Sequence, residues 1–190
     1  MKKINIFLAS SNELKSEREQ FEIQIYRKCK AWVDRSIFLY LNIWEDLSAR
    51  MFDTRSQDEY NKKITESDIF VLLAYSKVGM YTAEEFGQAF GAFKETQKPF
   101  IFTYFKETDG ETDPSLQQFK DRLKELDHFY ARYTDFNDLW LQFNQELDRL
   151  ELAEFKKNVH TAKNEGGRTI NQGDKSVYVE NANGLHINIQ

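Results

Sequence analysis

The chain has 190 residues, with 26 basic side chains against 31 acidic ones and a single cysteine, Cys29. This length suits one domain with a small appendage, and a domain of this size buries roughly 70% of the surface that its unfolded chain exposes. One cysteine excludes an internal disulfide, and one cysteine with three histidines excludes a Cys/His zinc module. A net charge of −5 argues against binding to nucleic acid through phosphate neutralisation.

No segment of the sequence has the character of a membrane span. The longest apolar runs, residues 37–41 and 69–75, are far shorter than the ~20 residues that cross a bilayer. The N-terminal sequence MKKINIFLASS has too short an apolar stretch for the core of a signal peptide. We therefore expect a cytoplasmic globular protein with no membrane and no nucleic-acid partner.

The first half of the chain alternates apolar runs with amphipathic stretches. Residues 4–9 predict a strand, which ends in three helix-capping residues, Ser10, Ser11 and Asn12. Residues 14–30 predict an amphipathic helix, whose apolar face carries Leu14, Phe21, Ile25 and the small, buried side chain of Cys29. A second strand over residues 37–44, a polar loop over 45–55 and a short helix over 57–65 follow.

The second half of the chain repeats this alternation. Residues 68–75 are the most apolar run of the sequence, as expected of a central strand that is covered on both faces. The remaining elements, in chain order, are a helix over 82–96, a strand over 100–105, a loop over 106–114, a helix over 115–126, a strand over 129–133 and a long helix over 136–158.

Five strand–helix repeats predict an α/β fold, a three-layer flavodoxin-like sandwich in which a five-stranded parallel sheet lies between two layers of helices. A (β/α)₈ barrel needs eight such units and about 250 residues, so the length excludes it. We assign residues 1–158 to this domain.

Residues 159–190 form a tail of different composition, rich in glycine and asparagine from Asn164 onward. Two short apolar runs in the tail, residues 177–179 and 185–189, flank Asn183-Gly184, which is typical of a β-hairpin. An isolated hairpin is only marginally stable in water, so we expect this one to pack on its own domain, to pair with a partner's sheet edge, or to be partly disordered. We interpret the tail as an interaction or docking element.

In an open parallel sheet, ligands bind beyond the carboxyl ends of the strands, where the strand order reverses. This rule selects four loops: residues 10–12, residues 44–46, residues 76–83, and the loop that begins at Lys106. Neither GxGxxG nor GxxxxGK[ST] occurs, which disfavours the common dinucleotide and nucleoside-triphosphate folds. A Ser-His-Asp triad is equally disfavoured, because all three histidines, His128, His160 and His186, lie outside these loops.

The loop over residues 76–83 leads directly to a pair of carboxylates, Glu84 and Glu85, in the predicted first turn of the helix after the central strand. A helix N-terminus stabilises an ionised carboxylate, so one of the pair can sit charged at the edge of the sheet. The two side chains point about 100° apart, and the spacing from Ala89 favours Glu85 as the inward one. The alternative is that both are ordinary acidic residues at a helix start.

Two segments resemble Toll/interleukin-1 receptor (TIR) domains. The third strand and following helix of the family have the pattern SD, an apolar run, S and then W-C-x-x-E-L. The resemblance is carried by residues 67–73, Ser76 and residues 81–86, where Tyr81, Thr82, Glu85 and Phe86 stand at the W, C, E and L positions. Residues 6–11 with Leu14, Glu17 and Arg18 are similar to the start of bacterial TIR-like proteins from phage-defence loci. The resemblance spans residues 1 to about 150 by element order.

This resemblance implies a specific activity. In enzymatic TIR domains the glutamate of the motif is required to cleave the nicotinamide–ribose bond of NAD⁺, or to rearrange the product into an ADP-ribose derivative. The chemistry is sound on its own terms, because nicotinamide leaves through an oxocarbenium-like transition state that a nearby carboxylate stabilises. The resemblance thus implies Glu85 as the catalytic residue and NAD⁺ as substrate, with no metal or cofactor, and activation by self-assembly in prokaryotic anti-phage immunity.

Seven other residues are candidates for binding the substrate, each with a plainer alternative. Ser10 and Ser11 either hold ribose or phosphate oxygens or cap the first helix. Trp44 either stacks on a base or belongs to the core, and Tyr81 either covers the ring beside Glu85 or packs under its loop. The charges of Lys77, Arg50 and the neighbouring Arg55 either meet the pyrophosphate or are solvated.

Other functions remain open at this point. TIR domains also serve as non-enzymatic adaptors that pair with one another, and the changes at Tyr81 and Thr82 suit such a module. Nucleoside deoxyribosyltransferases use a related fold and a glutamate nucleophile, and a sensor of a nucleotide second messenger is a further alternative. Substitution of Glu85 separates these classes, because an enzyme loses activity whereas an adaptor still assembles.

Overall fold

Five parallel strands form one sheet in the order β2-β1-β3-β4-β5. The structure, a computed structural model, describes residues 1–43 and 56–155, with only the backbone given for residues 56–60. The strands are β1 (Lys2–Ser10), β2 (Ile37–Asn42), β3 (Ile69–Ala74), β4 (Phe100–Lys106) and β5 (Ala131–Tyr133). The predicted five-stranded parallel sheet is therefore confirmed, with a flavodoxin-like strand order.

Five helices alternate with the strands along the chain. They are α1 (Lys15–Trp32), α2 (Ser56–Thr65), α3 (Met80–Thr96), α4 (Pro114–Glu125) and α5 (Phe136–Leu150). A 3₁₀ turn over Asn12–Leu14 precedes α1, another over Val33–Arg35 follows it, and a π-helical turn over Glu151–Phe155 extends α5. Within the described residues, no helix combines the length and the apolarity that a membrane crossing requires.

The register of the sheet places its reversal point between β1 and β3. Strand β1 pairs with β2 on one side, where Ile4 is opposite Leu39, and with β3 on the other, where Leu8 is opposite Val71. All six side chains of β3 are buried, as predicted for a central strand covered on both faces. The loops that follow β1 and β3 therefore meet at the edge of the sheet where ligands bind in this architecture.

Each face of the sheet has its own hydrophobic core. On one face, α1 and α5 pack their apolar sides on the sheet, α1 against β2 and α5 against β4 and β5, and the predicted stripe of Phe21, Ile25 and Cys29 is buried there. The thiol of Cys29 also accepts a hydrogen bond from the backbone N–H of Leu39, at 3.2 Å, which ties α1 to β2. On the other face, α2, α3 and α4 cover the sheet with residues such as Phe86 and Phe119.

Several element boundaries differ from those predicted. Helix α3 begins at Met80 rather than at residue 82, because the extended backbone of Gly79 serves as its N-cap. Strand β5 begins at Ala131 rather than at residue 129, because it pairs only with the last three residues of β4. The α-helical part of α5 ends at Leu150. Strand β2 ends at Asn42, two residues before its predicted end. Residue 44, the loop over 45–55, the last three residues of the predicted final helix and the whole tail, 159–190, lie outside the described residues.

Candidate functional site

Hydrogen bonds join the loops after β1 and β3 where the strand order reverses. The carboxylate of Glu13 accepts from the backbone N–H of Ser76 at 3.0 Å and from its hydroxyl at 2.7 Å. Partial burial by itself would raise the pKa of Glu13, but the hydrogen bonds from Ser76, Ser11 and the backbone of Lys77 lower it below its ordinary value. An ionised Glu13 therefore holds the two loops together at neutral pH.

Ser10 and Ser11 lie at this junction and are held by a buried arginine. Arg18, only 1% exposed, donates from Nη1 to the Ser10 hydroxyl and to the Ser11 carbonyl, both at 2.8 Å. Ser11 occupies the N-cap of the 3₁₀ turn without a capping bond from its side chain, which donates instead to Glu13 at 3.1 Å. Helix capping therefore does not explain the Ser11 side chain. Because Ser10 Oγ accepts from Arg18, its own O–H remains available to a ligand.

Glu85 lies in the second turn of α3, and its side chain is 8% exposed. No hydrogen bond or ion pair from another described residue reaches its carboxyl group, whereas Glu84, half-buried beside it, accepts a hydrogen bond from Asn61 on α2 at 3.3 Å. Burial, reinforced by the negative charge of Glu84, raises the pKa of Glu85 to about 8. A buried carboxyl group with a strongly raised pKa is a common mark of a functional site.

The prediction that the helix start stabilises an ionised carboxylate here is wrong. The first turn of α3 contains no acidic residue, because the helix begins two residues earlier than predicted and places Glu84 and Glu85 in the second turn. The helix dipole acts mainly within the first turn. Desolvation consequently dominates, and the neutral form of Glu85 is favoured up to about pH 8.

The raised pKa makes the stability of the fold depend on pH. Between the ordinary pKa of 4.5 and about 8, folded Glu85 retains a proton that the unfolded chain releases, so the unfolding free energy falls as the pH rises through this interval. Glu85→Gln has no carboxyl group at this position, so its unfolding free energy does not fall in this way. The unfolding free energy of the variant minus that of the natural chain is therefore expected to increase by on the order of 4 kcal/mol between about pH 4 and pH 9. Urea unfolding of both proteins across this range measures the difference, and a constant difference would contradict the burial of the carboxyl group.

A second group of buried polar side chains lies near the junction, on the α1 face of the sheet. Glu17 is buried and pairs with Lys106, at the end of β4. The hydroxyl of Tyr133 is buried and lacks a hydrogen-bond partner among the described residues. Burial, followed by the charges of Glu17 and Glu13, raises the pKa of Tyr133 above its ordinary value. None of these three residues is among the site residues predicted from the sequence.

A signal for the buried charges was present in the sequence. Arg18 stands three, seven and eleven residues before Phe21, Ile25 and Cys29, so it extends the apolar stripe of α1 by one turn. A charged residue on the buried face of a helix, directly after a loop at the ligand-binding edge, predicts a role at that edge. The contact between Glu13 and Ser76 left no such signal, because it joins residues 63 positions apart.

The remaining predicted residues are placed as follows. Tyr81 lies in the first turn of α3 and is 57% exposed, so it does not pack under its loop. Lys77 is exposed in the loop between β3 and α3. Trp44, Arg50 and Arg55 lie outside the described residues. In the described part of the chain, no three His, Cys, Asp or Glu side chains are grouped closely enough to hold a metal ion.

Comparisons with known proteins give a likeness in fold. No protein-family model matches the chain, and no curated protein matches it in sequence. Among solved structures, the chain is similar to the crystal structure of the RPS4 and RRS1 TIR domain heterodimer, with a TM-score of 0.52 and 9% identity over 78% of this chain and 97% of that one. It is also similar to a conserved protein from Enterococcus faecalis V583, with a TM-score of 0.40 and 19% identity over 75% and 98% of the two chains. The first likeness shows that the chain has a TIR-like fold.

Proposed function

We propose that this protein cleaves the bond between nicotinamide and ribose in NAD⁺, with Glu85 as the catalytic carboxylate. The observation that carries the proposal is the burial of Glu85, with no described partner, on the helix that follows the central strand. This is the position at which the resemblance to TIR domains implies the glutamate, and the TIR-like fold supports the correspondence.

The chemistry requires a negative charge beside the ribose. As nicotinamide departs as a neutral ring, positive charge moves from its nitrogen to the ribose carbon and ring oxygen, and a carboxylate in a site of low dielectric constant stabilises that charge. Water then attacks the ribose carbon and releases a proton, which gives ADP-ribose; attack by an atom of the same molecule gives a cyclic product. The cationic nicotinamide ring of bound NAD⁺ lowers the pKa of Glu85 toward the ionised form.

The loop junction supplies groups that suit the rest of the substrate. We assign the Ser10 hydroxyl, positioned by Arg18, to a ribose or phosphate oxygen, together with the neighbouring Ser11. The exposed ring of Tyr81 offers a stacking surface at the start of α3, and Lys77 offers a positive charge beside it. The same roles are proposed for Trp44 and Arg50, which lie outside the described residues.

The proposal includes activation by self-assembly and a role in prokaryotic anti-phage immunity in the cytoplasm. The matched TIR domains form a heterodimer. In this chain Met80 and Tyr81 expose 72% and 57% of their surfaces side by side at the start of α3, which offers an apolar contact next to the proposed site. The tail over residues 159–190 is proposed as the element that docks a protein partner.

Release of nicotinamide from NAD⁺ by the purified chain tests this proposal. We expect nicotinamide to appear together with an equal amount of ADP-ribose, or of a cyclic product lighter than ADP-ribose by one water, with a rate per molecule that rises as the protein concentration increases. NADH is a matched control, because its uncharged ring would leave as an anion and the bond should stay intact. Protein that light scattering shows to be assembled, but that releases no nicotinamide, would contradict the proposal.

A non-enzymatic TIR-type interaction module is the second candidate, and the exposed pair Met80 and Tyr81 favours it. Such a module would assemble through this surface whether or not Glu85 is intact. Light scattering measures the assembly of Glu85→Gln and of the natural chain. Equal assembly of the two proteins, with no NAD⁺ turnover by the natural chain, would support this candidate over the enzyme.

A further inference from the structure

Two cavities adjoin along helix α4, and Glu85 is not among the residues that line them. The first, of about 530 Å³, lies between α4 and the start of β5 and is lined by residues that include Lys120, Lys124, Phe129 and Arg132. The second, of about 340 Å³, lies at the start of α4 and is lined by residues that include Thr108 and Thr112. Lys120 and Arg132 line both cavities, so the two form one bilobed groove with these cations at its waist. We call it the α4–β5 groove.

The waist of the α4–β5 groove, with Lys120 and Arg132, favours an anion. Each lobe also carries two carboxylates: Asp121 and Asp127 in the larger lobe, Glu107 and Asp109 in the smaller. Among the described residues, no acidic side chain forms an ion pair with Lys120, Lys124 or Arg132, although the whole chain carries a net charge of −5. The ammonium group of Lys120 lies 4.9 Å from the centre of the Phe105 ring, which fixes its position at the waist. Two unpaired cations that face the same space are suited to phosphate oxygens.

The larger lobe also offers an aromatic surface. Phe129 is 94% exposed at the mouth of this lobe, an unusual position for a phenylalanine and one that suits stacking on a base. His128 lies beside it with Nε2 3.0 Å from the Thr103 hydroxyl, and burial lowers its pKa, so at neutral pH the ring adds no charge. The aspartates of this lobe, Asp121 and Asp127, can accept hydrogen bonds from ribose hydroxyls.

We propose that the α4–β5 groove binds a nucleoside diphosphate, with its phosphates at Lys120 and Arg132 and its base against Phe129. The volume of the larger lobe falls within the roughly 300–1,000 Å³ of typical small-molecule sites. The smaller lobe, lined by the hydroxyls of Thr108 and Thr112 and the carboxylates of Glu107 and Asp109, suits a hydroxyl-bearing group attached to the terminal phosphate. This site is separate from the proposed catalytic residue and adds a nucleotide-binding function that does not depend on it.

Isothermal titration of the full chain with ADP tests the proposal, and it does so independently of NAD⁺ cleavage because ADP contains no nicotinamide. We expect Lys120→Gln and Arg132→Gln, which keep much of the side-chain length, each to weaken binding by at least tenfold. Phe129→Ala is expected to weaken it about fivefold or more, whereas Lys94→Ala, an exposed lysine on α3 outside the groove, leaves the affinity unchanged. Rising salt concentration should also weaken binding, since charged contacts are screened.

Three outcomes would overturn the proposal. The first is no binding of ADP at millimolar concentration. The second is binding that neither Lys120→Gln nor Arg132→Gln weakens, which would place ADP elsewhere on the protein. The third is inorganic pyrophosphate that binds as tightly as ADP while Phe129→Ala has no effect on ADP, which would leave an anion site with no place for the base. Thermal unfolding of each variant confirms that the fold is intact.

Discussion

Glu85→Gln is expected to lower the rate of nicotinamide release from NAD⁺ by about 10²- to 10³-fold, the usual effect of removing one group that stabilises transition-state charge. Glutamine has the shape of glutamate but carries no negative charge, so it fills the same space without stabilising the positive charge that develops on the ribose. The loss should appear in kcat rather than in KM, because the interaction is strongest in the transition state. Single-turnover measurements with excess enzyme would separate this step from substrate binding.

Glu84→Gln is the matched control for this experiment. It removes the same charge from the adjacent residue, whose carboxylate is held by Asn61. We expect its maximal rate to stay within about threefold of the natural chain. Because the charge of Glu84 helps to raise the pKa of Glu85, the same change should shift the activity profile to lower pH. Equal losses of the maximal rate in Glu85→Gln and Glu84→Gln would contradict a special role for Glu85.

The pH profile of the natural chain follows from the same pKa. Glu85 must be ionised to stabilise the transition state, so kcat/KM is expected to rise with pH and to level off above about pH 8, the pKa in the free protein. The rise in kcat should lie at lower pH, because bound NAD⁺ places a positive charge beside the carboxylate. A rate that is flat between about pH 6 and pH 9 would contradict this assignment.

Phe143→Ala is expected to lower the unfolding free energy by about 3–5 kcal/mol, the usual cost of removing a fully buried aromatic side chain. Phe143 is completely buried on α5, and its ring centre lies 5.0 Å from that of Phe21 on α1 and 5.9 Å from that of Phe102 on β4. The ring therefore joins two helices and the sheet, and its removal leaves a cavity that no single neighbour can fill. Such a loss is a large share of the roughly 5–15 kcal/mol that stabilises an ordinary domain.

Leu141→Ala on the same helix is the control, because Leu141 is exposed and its loss should change the unfolding free energy by about 0.5 kcal/mol or less. Urea unfolding of both variants, followed by circular dichroism, makes the comparison. Similar losses of unfolding free energy in the two variants would show that Phe143 does not occupy the core described above.

The sheet and its helices could be predicted because their signals are local. The fully apolar run in β3 and the stripe of Phe21, Ile25 and Cys29 on α1 arise from residues that are neighbours along one strand or one helix. Helix α3 starts two residues before its predicted position, because Gly79 caps it through backbone geometry that the apolar pattern does not record. The burial of Glu85 could be anticipated from helical spacing, but its raised pKa depends on the packed helix around it.

The contacts of the candidate site were less accessible to sequence analysis. Glu13 reaches Ser76, and Glu17 reaches Lys106, only because the register of the sheet brings distant loops to the same edge. One sequence contains no signal for such pairs, because their residues are dozens of positions apart. The α4–β5 groove is of the same kind, since Lys120 and Arg132 come from a helix and an edge strand.

The hydrogen bond between Cys29 and β2 has a practical consequence. The thiol is buried and accepts from the Leu39 N–H, so an alkylating reagent can reach it only when α1 separates from the sheet. Because it is the sole cysteine, modification of the chain by such a reagent reports this one event without any engineered label. The labelling rate then measures how often the first helix opens, and a bound ligand that clamps the loop between β1 and α1 would slow it.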